Sequence, residues 1–144
     1  MKDLKSRSSI FSIIVLVAGL VGIISLFLTW ESFSLGSFSG WDYITAVFNS
    51  PYVIYTEWVP LFVLIFSVVA TIFAALVFFK PRMEFGVIII ISGIFWVIAA
   101  AVFIMYTEPS YRMIDHAGIG FYLAFIAGII LLVFGILRMA VKDK

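Results

Sequence analysis

The chain has 144 residues, of which 65% are hydrophobic and only 12% charged, against about 45–50% and 25% in soluble domains. A net charge of +1 gives no global pull toward nucleic acid, and the absence of cysteine excludes disulfides, thiolate metal sites and thiol redox chemistry together. The length fits one domain, and residues 1–144 read as a single membrane domain whose solvent is the lipid bilayer.

Three basic residues, Lys2, Lys5 and Arg7, precede the first apolar run, Ile10–Trp30. A membrane-crossing helix needs about 20 apolar residues at 1.5 Å each, and this run has that length. It exceeds the apolar region of a signal peptide and no A-x-A site follows, so a retained helix is expected. Ala18 and Gly22 stand four apart along it, and Ser12 and Gly19 seven apart.

The next stretch, Glu31–Glu57, is too long for a structureless connection in a compact protein. Within FSLGSFSG the apolar residues alternate, and Gly36-Ser37 fits a two-residue turn with glycine first. A short β-hairpin is therefore expected, with Phe33, Leu35 and Phe38 on one face. Asp42 would cap a short helix through Phe48, ended by Asn49-Ser50-Pro51. Trp30 and Trp41, with rings suited to the headgroup level, would anchor this loop, and Trp30, Phe33, Leu35, Phe38 and Trp41 form its expected interaction surface. The alternative is an irregular serine-rich loop resting on the membrane.

A second span is expected at Trp58–Phe79, with Pro60 in its first turn and Lys80-Pro81 at its end. The third, Phe85–Met105, carries Gly86, Gly93 and Ala100 seven apart, with Trp96 near its middle and Ile89 assigned to the lipid-facing side. That tryptophan either lines a pocket for a lipid tail or pigment or packs between helices, with Ser92 or a backbone carbonyl taking its N–H. After the Tyr106–His116 loop comes the fourth span, Ala117–Leu137, with Gly120, Ala124, Gly128 and Gly135. Small residues allow close helix approach where lipid gives no hydrophobic drive for association, and seven-residue spacing suits antiparallel bundles. The expected fold is all-α: an antiparallel four-helix transmembrane bundle with a partly ordered first outer loop, packed at Gly19, Gly22, Gly93 and Gly128.

Four spans, a long first outer loop and a short second one resemble the claudin-like tetraspan arrangement. Trp30 at the end of the first span and Gly40-Trp41 in the loop are similar to that family's tryptophan and Gly-Leu-Trp elements. The resemblance implies loop strands that extend an outer layer. The chain lacks the family's paired loop cysteines, and Gly40 directly precedes the second tryptophan. Its FLTW…SGWD pattern is closer to uncharacterised prokaryotic four-span proteins.

Chemistry finds few candidates. No Asp, Glu, Lys, Arg or His lies in the four spans, and such residues are the mark of proton relays and ion paths. The single His116 follows Asp115, and these two with Glu31, Asp42, Glu57 and Glu108 would be the only cation ligands. Their spacing matches no metal motif, and Asp115 reads better as a charge favourable to the helix that follows. No catalytic, metal or cofactor-binding residue is nominated. The leading expectation is a non-enzymatic structural or interaction protein whose aromatic loop docks a partner, a copy of itself or the membrane exterior. Two others stay open: an accessory subunit of a membrane enzyme or transport complex, and a transporter or channel for a neutral or lipid-like solute, lined by Ser25, Ser67, Thr71 and Ser92.

Orientation follows from the basic residues. Lys2, Lys5, Arg7, Lys80, Arg82, Arg138, Lys142 and Lys144 fall on one side of the spans and only Arg112 on the other. Cytoplasmic loops collect Lys and Arg, so both termini are expected in the cytoplasm of a cell-membrane protein. Single cysteines at Ser37 or Ser110 should label from outside intact cells, and one at Lys142 should not; outside labelling at Lys142 reverses the topology.

Overall fold

The computed structural model describes residues 7–33, 36–49, 55–80, 83–108 and 111–140. In chain order these form α1 (Arg7–Ser25), β1 (Thr29–Phe33), β2 (Gly36–Ser39), α2 (Gly40–Asn49), α3 (Tyr55–Phe79), α4 (Met83–Ile104), β3 (Thr107–Glu108), β4 (Tyr111–Arg112), a 3-10 turn at Met113–Asp115 and α5 (Ile119–Ala140). The described chain is thus mainly helical with two small two-stranded sheets. By length and apolarity α3, α4 and α5 are each able to cross a membrane, whereas the apolar part of α1, Ile10–Ser25, is shorter.

The four long helices pack in a ring, α1 against α3 and α5, and α4 against α3 and α5. Their partners run in opposite order along each pair: Gly19 meets Thr71 and Gly22 lies near Ser67, while Phe11 pairs with Phe134. Likewise Phe66 stacks on Phe95, and Phe73 tilts on Phe85. Neighbouring helices are therefore antiparallel.

Three expectations change. The first helix stops at Ser25 rather than Trp30: the N–H groups of Leu26, Phe27 and Leu28 close i−3 turns on its end, and the carbonyls of Leu26 and Trp30 find partners elsewhere. The carbonyl of Leu26 accepts from the Trp41 N–H at 2.8 Å, and that of Trp30 from the Gly118 N–H at 2.9 Å. Hydropathy alone cannot separate such a buried turn and strand from a last helical turn. Pro60 is not in the first turn of its helix, since α3 already begins at Tyr55; it removes one helical N–H there. Ile89 is 2% exposed and packs near Gly135, so it faces the core and not lipid. Its position on the same stripe as Gly86, Gly93, Trp96 and Ala100 explains the error: the buried face of α4 is wider than its small residues.

Small residues set the helix spacing. A Cβ on Gly93 would sit 3.2 Å from the Leu132 Cα, so α4 and α5 meet nearly backbone to backbone. A Cβ on Gly19 would collide with the Thr71 side chain of α3. In the middle of the bundle the fully buried Trp96 lies between Gly22 of α1, where a Cβ would overlap its ring, and Gly128 of α5, where a Cβ would lie 3.1 Å from Nε1. The indole is a key that only two glycines can admit.

This packing makes a test. Gly93→Leu must force α4 from α5, at about 1–3 kcal/mol on the overpacking scale, while Ile98→Leu, at a half-exposed position, should stay within about 0.5 kcal/mol. Thermal melting in detergent reads both, and equal melting removes the close-approach account.

Candidate functional site

At the end of the bundle formed by Ser25, Trp58, Ile104 and Ile119, the two connecting segments fold into a cap. Its centre is Trp30. β1 pairs with β2 antiparallel, with Phe33 opposite Gly36, Ser32 opposite Ser37 and Glu31 opposite Phe38. The ladder then shifts between Glu31 and Thr29. Such an irregularity re-aims the side chain that it releases, and here it turns Trp30 into the bundle. The indole is fully buried, edge-on to Phe103 of α4 and Phe121 of α5 at centroid distances of 5.3 and 5.6 Å. Its Nε1 donates to the Ser25 carbonyl at 3.0 Å. Trp30 is accordingly not part of an interaction surface, as the sequence reading had it; it is the internal pin of the cap.

The second connection lies along the other edge of β1. The Ser32 N–H donates to the His116 carbonyl at 2.8 Å, Glu31 forms an isolated antiparallel bridge with Ala117, and His116 Nδ1 lies 2.9 Å from the Ser32 carbonyl oxygen. Glycines make this docking close: a Cβ on Gly118 would strike the Thr29 carbonyl, and one on Gly120 would sit 2.8 Å from the carbonyl oxygens of Ser25 and Thr29. Gly40 closes the remaining side, within 3.0 Å of Trp30 Nε1 if it carried a Cβ. These three glycines escaped the sequence reading as cap residues because their neighbours are distant in the chain.

α2 starts with a reciprocal cap. Ser39 Oγ accepts from the Asp42 N–H at 3.1 Å, and Asp42 Oδ2 accepts from the Ser39 N–H at 2.9 Å, which is the capping-box arrangement. Ser39, not Asp42, is the N-cap; the expected helix through Phe48 is present. Tyr43 and Ile44 are buried, with Tyr43 against Phe38 and Phe103, and α2 packs on α3.

The other face of α2 is open. Trp41 is 44% exposed and Phe48 71%, seven residues apart along the helix, and Trp41 stacks on Phe27, itself 64% exposed. Phe38, the other exposed member of the sequence-nominated set, leans on Tyr43. The expected turn also changes place. Phe33 lies opposite Gly36, so Ser34 and Leu35 rather than Gly36-Ser37 separate the paired strands. Leu35 and the Phe33 side chain lie outside the described residues. Phe48 was missed although it stands seven residues from Trp41 at the end of the expected short helix, whereas Phe27 meets Trp41 only through the fold.

Among the described residues no group of three His, Asp or Glu side chains converges as a metal site. Asp115 instead faces Arg112 at 3.9 Å, both well exposed. Three of the four hydroxyls suggested for a solute path are spent within their own helices: Ser25 donates to Gly22, Ser67 to Leu64 and Thr71 to Ser67 carbonyls at 2.6–3.0 Å. The Trp96 Nε1 and Tyr43 hydroxyl have no hydrogen-bond partner among the described residues, so Ser92 does not take the Trp96 proton.

Comparison with family models, curated proteins and solved structures finds no match to this chain.

The cap's hierarchy is measurable by hydrogen exchange. Trp30→Ala should expose β1, β2 and α2 amides and cost about 3–5 kcal/mol, the scale for truncating a buried aromatic. Trp41→Ala should cost no more than the 0.5–1.5 kcal/mol of one aromatic pair plus its partial burial and leave those amides protected. The reverse order would show that the cap is held from outside.

Proposed function

We propose that this chain is a four-span membrane protein without enzymatic activity, built to present its cap to a neighbouring membrane protein. α1 completes the set of spans. Its apolar part, Ile10–Ser25, rises about 24 Å, and Leu26-Phe27-Leu28 extends the apolar stretch toward the 30 Å hydrocarbon core. With the basic residues of both ends on one side, the termini and the Lys80 turn lie in the cytoplasm and the cap lies outside.

The observation that supports docking is the open aromatic edge of Phe27, Trp41 and Phe48 on a cap whose Trp30, Tyr43 and Ile44 are used internally. An exposed apolar patch beside polar structure is characteristic of an interaction site, and Trp and Phe are common anchors at such sites. The edge lies on the flank of α2, so the partner is a laterally adjacent protein, a second copy or a different subunit.

A photoreactive amino acid placed at Trp41 or Phe48 in native membranes tests this. Crosslinks to a protein, either a second copy or a different subunit, support docking. Crosslinks to lipid alone would make the edge a membrane anchor and end the docking proposal. In the same membranes Trp41→Ser with Phe48→Ser should cut recovery of the complex several-fold while the bundle keeps its melting temperature, because neither side chain enters the core.

A further inference from the structure

We draw no further inference here: the strongest candidate, the apolar groove at the seam between α1 and α5 lined by Val17, Ala18, Ile126 and Ala127, is an open, unpartnered face, and nothing in the structure shows what covers it.

Discussion

The burial of Trp30 ties every element of the cap to the helices beneath it. Its ring touches α4 through Phe103 and α5 through Phe121, its N–H ends the backbone of α1 at Ser25, and Gly40 brings the start of α2 against its nitrogen edge. An aromatic side chain of this class buries about 150–250 Å², or about 4–6 kcal/mol at 25 cal/mol/Å². A disulfide typically contributes about 2–4 kcal/mol. A chain without cysteine thus has a non-covalent device of comparable size. The full figure applies only where opening the cap would expose the ring to water, which is the case at this end of the bundle and not at its middle.

From that pin the rest of the cap follows as a set of backbone accommodations. Turning Trp30 inward takes it out of the β1–β2 ladder, and its carbonyl is satisfied by Gly118 instead. This contact needs the start of α5 to approach Thr29 so closely that Gly118 and Gly120 carry no side chain. His116 and Ala117 are then drawn along the free edge of β1. An edge strand is a liability when left open; here one edge is taken by β2 and the other by the second connecting segment.

This is also where the sequence stops being readable. The long helices were legible because apolar length and small-residue spacing are local properties: the stripe Gly86, Gly93, Ala100 and the series Gly120, Ala124, Gly128 each lie on a buried face. The existence of the hairpin and of α2 was legible from alternation and from the Asp42 and Asn49-Ser50-Pro51 punctuation. Register was not. Gly36-Ser37 is a good local turn, but pairing is fixed by the placement of Trp30 and by His116, which is 84 residues from Ser32. The aromatic surface was half legible for the same reason. Phe38 and Trp41 are open, whereas Trp30 looks identical to them in a list of interfacial aromatics and differs only through a long-range socket. The β3–β4 pair was missed although Pro109-Ser110 stands between Thr107 and Tyr111, because proline was read only as a helix stop.

Packing around Trp96 shows how α1 is seated in the bundle. Gly19 and Gly22 point toward α3 and the Trp96 ring, and they pull α1 inward over that face. The adjoining face toward α5 carries Ile13, Val17 and Val21, and the facing part of α5 carries Leu123, Ile126 and Ile130. Along that seam the small Ala18 and Ala127 are nearly fully buried, while Val17 and Ile126 stay half-exposed. An indole N–H left without a partner among the described residues costs about 1–3 kcal/mol when buried. That cost is sustained by shape, because the ring fills the space that two glycines make and no smaller apolar side chain would reach both α1 and α5.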